Sequence, residues 1–382
     1  MGIQILLFVA GLIMLIKGGD WFVDGASGIA RRFHLPELLI GATVVSIGTT
    51  LPEVMVSAQG AMAGSGGMAY GNAIGSIICN TALIAAITVT VKPGKADRKT
   101  MILPVAFFLA AATFYTCIAY FAGEFSRVVG IILLCGFAAY MITLVVNMLR
   151  EKKRGVEVVA EGEEEADEPW EFSVKSFIIE LVCVLGGGAL MIYKGGIMLY
   201  IGIAAMVVFA VYTVLALAFK AQNKSFSMGR DLLFLVIGAA IIAGGANLLV
   251  DSGTAIATTL GVPDTVIALT FVALGTSLPE LVTAITSLVK GHGALSLGNI
   301  IGANLFNLVL VSGVATTISP FAVPKESILF GQPASLVMDI PVMLGVMLLL
   351  VIPTLIRQKL SRVQGIVLLC IYAGFCTLQF VM

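Results

Sequence analysis

A glutamate one residue past a proline, inside an apolar run, occurs twice in this chain. The first copy reads Ser46-Ile47-Gly48-Thr49-Thr50-Leu51-Pro52-Glu53, the second Ala273-Leu274-Gly275-Thr276-Ser277-Leu278-Pro279-Glu280. With 59% hydrophobic and only 12% charged residues, against about 25% charged in soluble domains, the chain reads as a polytopic membrane protein. An acid at membrane depth is costly and points to function. Two at equivalent places make an ion or proton pathway the leading reading.

The repeat extends well beyond the motif. At an offset of 227 residues the halves align without a gap from Gly11/Gly238 to Asn80/Asn307. Val23-Asp24 meets Val250-Asp251, Pro36 meets Pro263, Glu37 meets Asp264, and Gly71-Asn72 meets Gly298-Asn299. A helix needs about 20 mostly apolar residues to cross a bilayer. That criterion selects twelve segments: 3–29, 36–60, 69–91, 101–121, 126–149, 174–193, 196–219, 231–251, 263–289, 293–318, 340–356 and 362–381. The eleventh is expected to start at the Asp339-Ile340-Pro341 cap, and the first is read as a retained span rather than a cleaved signal.

The expected fold is therefore an all-α polytopic membrane protein. It holds two repeats of about five transmembrane helices with an extra helix pair between them, about 12 spans in all. The parts are 1–149 (first repeat), 150–172 (cytoplasmic acidic linker, with the run Glu161 to Glu168), 173–222 (inserted pair) and 229–382 (second repeat). Basic residues concentrate on alternate loops. Arg31, Arg32, Lys92, Lys95, Arg98, Lys99, Arg150, Lys152, Lys153, Arg154, Lys175, Lys220, Lys224, Arg230, Lys290, Arg357, Lys359 and Arg362 fall on one side, and Arg127, Lys194 and Lys325 on the other. The positive-inside rule then puts both termini outside a cell (plasma or inner) membrane. Seven spans separate the repeat starts, an odd number, so the repeats are inverted. Inverted repeats with interrupted helices are the sequence signature of secondary transporters.

Pro52 and Pro279 each remove a helical hydrogen bond and clash with the carbonyl four residues back, at Gly48 and Gly275. The preceding carbonyls, from Ser46 and Ala273 onward, are then available. With the hydroxyls of Thr49, Thr50, Thr276 and Ser277 and the carboxylates of Glu53 and Glu280 they form an oxygen-rich set. Ca²⁺ takes 6–8 oxygens and Na⁺ also seeks oxygen; no His or Cys is placed to favour a softer metal. A second motif, Gly71-Asn72-Ala73-Ile74-Gly75-Ser76-Ile77-Ile78-Cys79-Asn80, is matched by Gly298-Asn299-Ile300-Ile301-Gly302-Ala303-Asn304-Leu305-Phe306-Asn307. Its small-xxx-small glycines permit close helix approach, and Asn72, Ser76 and Asn80 share a helical face. Asn72 and Asn299 suit either inter-helix bonding or the ion site; Asn80 and Asn307 suit the ion site.

Together the paired motifs closely resemble the α-repeats of the cation/calcium exchanger superfamily, nearest its sodium/calcium exchanger branch and the compact prokaryotic members. The resemblance implies Ca²⁺ exchanged for Na⁺ by alternating access at a midplane cluster of four ion sites. By position the central ligands would be Glu53, Glu280, Asn80 and Asn307. Thr49, Thr50, Thr276, Ser277 and Ser76 would add hydroxyl or carbonyl oxygens, and Ser46 and Ala273 backbone carbonyls. Three departures stand out. Asn307 occupies a position where several members carry Asp, Ala303 one that usually holds Ser, and the inserted pair exceeds the family's ten-span core.

Lys17, near the middle of the first span, either pairs with Asp20 one turn on or lines the ion path. The alternatives to Na⁺/Ca²⁺ exchange are a proton-coupled antiporter of Ca²⁺ or another divalent cation and, from a different class, a membrane-embedded enzyme. Two histidines (His34, His292), no HExxH and no GxSxG argue against the enzyme. No cofactor is expected beyond the transported ions. The partners are membrane lipid, Ca²⁺ and Na⁺, with no nucleic acid, in a monomer or homodimer.

Overall fold

The computed structural model describes residues 2–32, 37–62, 64, 66–94, 96–153, 227–259, 273–325 and 328–381. The acidic linker, the inserted pair 174–219 and residues 263–272 of the ninth expected span lie outside these. Described elements occupy each of the other ten expected spans. In chain order they begin with α1 (Gly2–Arg32), α2 (Glu37–Ile40), a π-helical turn (Gly41–Val45) and α3 (Ser46–Met62). Next come α4 (Gly66–Cys79), a π turn (Asn80–Ala85), α5 (Ala86–Val91), α6 (Arg98–Cys117) and α7 (Arg127–Lys153). The second half holds α8 (Ser227–Thr259), α9 (Ala273–Thr276), α10 (Leu278–Val289), α11 (Gly293–Phe306), a π turn (Asn307–Val311) and α12 (Ser312–Ile318). It ends with a π turn (Ser335–Asp339), α13 (Ile340–Arg357) and α14 (Arg362–Val381).

Seven of the described helices are long and apolar enough to cross a membrane, and the bent pair Leu38–Thr50 and Pro52–Met62 makes an eighth if it is one span. The protein is thus a mostly helical, multi-pass membrane protein. Two features refine the sequence expectation. Short antiparallel strand pairs sit in the connections, with Glu124 and Phe125 (β1) opposite Ala322 and Phe321 (β2), and Ile328–Leu329 (β3) pairing Gln332–Pro333 (β4). The eleventh span does not start at the Asp339 cap. A π turn from Ser335 leads into α13, and Asp339 makes no side-chain cap bond. Its Oδ1 instead accepts from Gln379 Nε2 at 3.1 Å.

The chain forms two compact units, each drawn from both halves of the sequence. The first combines residues 1–36 with 159–286. Within it α1 and α8 pack along their length. A Cβ added at Gly25 would lie 2.5 Å from Leu235 N, at Gly18 2.9 Å from Ile242 N, and at Gly245 3.0 Å from Gly11 O. As the α1 number falls the α8 number rises, so the two helices run antiparallel. Such close backbone approach is what small residues allow where lipid removes any hydrophobic drive between helices.

The second unit combines residues 37–158 with 287–382. Here α11 packs against α2, the π turn after it, and α3. A Cβ at Gly298 would fall 2.1 Å from Leu38 O, and one at Gly302 2.6 Å from Ala42 Cα. Both numbers rise together, so these elements run parallel. The expected role of Gly298 and Gly302 is met. Among the described residues no atom lies within 4 Å of a Cβ placed on Gly71 or Gly75.

Candidate functional site

The second unit gathers most of the expected polar residues onto four packed elements. Ser46, Thr49, Thr50 and Glu53 lie on α3, and all four are buried. Ser76 is buried on α4, and Asn80 and Asn307 are fully buried. Helix α3 touches α4, α11 and the π turn at Asn307, and α11 touches the π turn at Asn80. Pro52 does not end α3. The helix runs through it and bends by 44° between Thr50 and Pro52.

Asn80 and Asn307 each open a π turn, at the same offset of 227 residues. A π turn bonds i to i+5 and leaves a widened, irregular stretch of backbone; such turns concentrate at functional sites. At two of them a serine hydroxyl lies within hydrogen-bonding distance of the first carbonyl. Ser46 Oγ lies 2.7 Å from Gly41 O, and Ser312 Oγ donates to Asn307 O at 3.0 Å. Tyr140, buried between α7 and the core, donates its hydroxyl to Ala42 O at 3.1 Å and so holds the first turn from outside. The π turns were not foreseen, because no residue type marks them. The serine five residues on is the one local signal, and it recurs only at Ser46 and Ser312.

Neighbouring amides divide into two kinds. Asn72 Nδ2 donates to Glu53 O at 3.1 Å and to Ser57 Oγ at 2.8 Å. Asn299 Oδ1 accepts from Thr49 Oγ1 at 3.2 Å, and its backbone carbonyl accepts from Ser46 Oγ at 2.9 Å. These two asparagines bind helix to helix. The carboxamides of Asn80 and Asn307 differ: neither the oxygen nor the nitrogen of either finds a hydrogen-bond partner among the described residues, and the same holds for Thr50 Oγ1. A buried unsatisfied polar group costs about 1–3 kcal/mol, so four such amide atoms at matched positions call for an explanation.

The remaining expected residues belong to the first unit. Ala273 opens α9, Gly275 and Thr276 follow, and the helix is interrupted at Ser277 before α10 begins at Leu278. Pro279 thus stands in the first turn of α10, where its missing N–H is no loss. Glu280 and Ser277 are buried, and Thr276 is half-buried. In the first copy Gly48 stays inside the helix, one turn before the bend. Lys17 Nζ lies 3.7 Å from Asp20 Oδ2 on α1, with both side chains partly exposed at 42% and 35%. That is the ion-pair reading of the two. Among the described residues no three His, Cys, Asp or Glu cluster together.

Fold and site define a multi-pass helical membrane protein with two matched carboxylate-and-amide motifs. Comparison with known proteins identifies the family. The sodium/calcium exchanger protein family model matches residues 3–146 and again 231–381, the two halves related by the sequence repeat. The chain belongs to that family, which is one of transporters. The "Sodium/calcium exchanger MaX1" of Methanosarcina acetivorans is 28% identical over 99% of both chains. The "Putative antiporter CaxA" of Alkalimonas amylolytica is 30% identical over 97% of both. Among solved structures, the sodium-calcium exchanger NCX_Mj soaked with Na⁺ and Ca²⁺ superposes with a TM-score of 0.68 at 28% identity, covering 97% of this chain and 96% of that one.

Proposed function

We propose that this protein is a secondary antiporter that exchanges Ca²⁺ for Na⁺ across a cell membrane by alternating access. The ions bind as substrates at Glu53, Glu280, Asn80 and Asn307. Hydroxyl or carbonyl oxygens come from Thr49, Thr50, Thr276, Ser277 and Ser76, and backbone carbonyls from Ser46 and Ala273. No cofactor takes part. The observation that carries this reading is the pair of buried, unpartnered carboxamides at Asn80 and Asn307. Each opens a π turn at the same place in its repeat and each follows a motif with a buried glutamate. An amide oxygen is a good ligand for a hard cation and a poor one for a soft metal.

The two carboxylates balance one Ca²⁺, and three Na⁺ would leave one net positive charge. Occupation by either substrate neutralises the acids and permits the inward–outward switch. The empty site keeps two buried charges and stays locked, because uncompensated charge cannot cross a low-dielectric region cheaply. The proposed frame is twelve spans in two inverted repeats, with both termini outside. The antiparallel run of α1 and α8, equivalent helices of the two halves, supports the inversion. MaX1 and NCX_Mj, similar along nearly their whole length, are both named as sodium/calcium exchangers.

The test is ⁴⁵Ca²⁺ uptake into proteoliposomes loaded with Na⁺ and diluted into Na⁺-free buffer, with a separate pH-gradient arm. Uptake driven by the Na⁺ gradient and lost in Glu53→Gln is the expected result. Uptake driven only by the pH gradient would replace Na⁺ by H⁺ as the coupling ion. No gradient-driven Ca²⁺ flux in either arm would sink the reading.

A further inference from the structure

The motif Gly298 to Asn307 contains two polar residues that the proposed site leaves unused; Asn299 ties α11 to α3, and Asn304 makes a different contact. Asn304 lies one turn before Asn307 on α11 and is fully buried. Its Nδ2 donates to Thr81 Oγ1 at 2.7 Å and to Met347 Sδ on α13 at 3.1 Å. Thr81 in turn donates its hydroxyl to the same sulfur at 3.2 Å. Thr81 is the residue directly after Asn80, inside the π turn that Asn80 opens. Thr81 and Met347 are also fully buried. One short hydrogen bond therefore ties α11, which leads directly into the π turn of Asn307, to the π turn that carries Asn80, and α13 backs the junction. All of these residues lie in the second unit.

The tie occurs once. At the repeat offset Asn304 corresponds to Ile77 and Thr81 to Leu308, and both of those are buried and apolar. A generic structural contact of the repeat would be present in both copies. This one departs from the symmetry where the two amides must be held at a set separation. Both partners are fully buried, so losing the bond would leave a buried polar group unsatisfied.

We infer that Asn304 is a positioning residue: through Thr81 it sets the spacing of the two π turns and thereby how well the site holds Na⁺ relative to Ca²⁺. This rests on the proposal that Asn80 and Asn307 receive the transported ions. A divalent ion gains twice the Coulomb attraction of a monovalent one to the same carboxylates. Na⁺ consequently depends more on the placement of neutral oxygens, and Ca²⁺ tolerates irregular coordination. Loosening the brace weakens Na⁺ first.

The experiment compares half-saturating Na⁺ and Ca²⁺ for the full-length protein in proteoliposomes, with calorimetric titration of each ion and melting temperature measured alongside. Asn304→Leu removes both bonds. Thr81→Val removes the acceptor hydroxyl at nearly constant shape and carries the test where Asn304→Leu does not fold. Each should raise half-saturating Na⁺ by about fivefold, the equivalent of one lost hydrogen bond, with Ca²⁺ within about twofold. Thr81→Ser should restore wild-type values, and the double variant should be no worse than either single. An unchanged Na⁺-to-Ca²⁺ ratio overturns the inference, whether or not melting temperature falls. Asn80→Ala separates the two levels of the argument. If that variant binds and transports both ions as wild type does, the site assignment fails. If it loses both ions while Thr81→Val leaves the ratio unmoved, only the role of Asn304 fails.

Discussion

Gly298→Ala tests the packing on which the polar core depends. The added methyl would sit 2.1 Å from Leu38 O and 2.8 Å from Leu38 C. Both are backbone atoms, so no rotamer change can relieve the contact. Ordinary non-bonded separation is about 3.5 Å, so α11 and α2 must part by about 1.4 Å. The residue after Gly298 is Asn299, which accepts from Ser46 at 2.9 Å and Thr49 at 3.2 Å. A displacement of that size breaks both bonds. Overpacking of this kind costs about 1–3 kcal/mol and each lost hydrogen bond about 1 kcal/mol, for a total of about 3–5 kcal/mol. Against a typical stability of about 5–15 kcal/mol that is a large loss. The assay is thermal melting in detergent by fluorescence-detected size exclusion, followed by Na⁺-driven Ca²⁺ flux. Gly345→Ala on α13 is the control, since no atom of the described residues lies within 4 Å of its added Cβ, and it should melt at or slightly above wild type. Wild-type melting and flux in Gly298→Ala would refute the close parallel packing of α11 on α2.

Three further outcomes are expected. Asn72→Leu removes the donors to Glu53 O and Ser57 Oγ and should destabilise the protein by about 1–2 kcal/mol; an unchanged melting temperature would mean that these bonds are not made. Lys17→Ala should leave the charge moved per transport cycle unchanged, because Lys17 pairs with Asp20 at 3.7 Å with both groups partly exposed; a shifted reversal potential in liposome recordings would put Lys17 in the ion path instead. Arg127 Nε and Nη2 donate to Thr317 O at 3.0 Å and Ile318 O at 3.3 Å, the last carbonyls of α12. Removing them in Arg127→Ala should cost less than about 1 kcal/mol at that exposed helix end, and a change in ion affinity there would contradict a purely capping role.

What was legible in the sequence followed from the high cost of polarity in an apolar environment. Carboxylates, prolines and asparagines inside apolar runs, repeated at an offset of 227 residues, point to a membrane protein with two equivalent motifs. Gly298 and Gly302 announced a close helix approach by their spacing. The kink at Pro52 could be read as well, since a proline's effect on a helix is local.

Only the tertiary structure decided what each polar side chain does. Asn72, Asn80, Asn299 and Asn307 are one residue type in two matched motifs, yet two are tied to neighbouring helices and two are left without partners among the described residues. The Asn304–Thr81 tie joins side chains 223 residues apart in the chain that meet in one core. The physical reason is range. Burial and periodicity are written residue by residue, but a hydrogen bond is satisfied by whichever atom the fold brings within about 3 Å. For this polar core that atom comes, at the decisive positions, from the other half of the sequence.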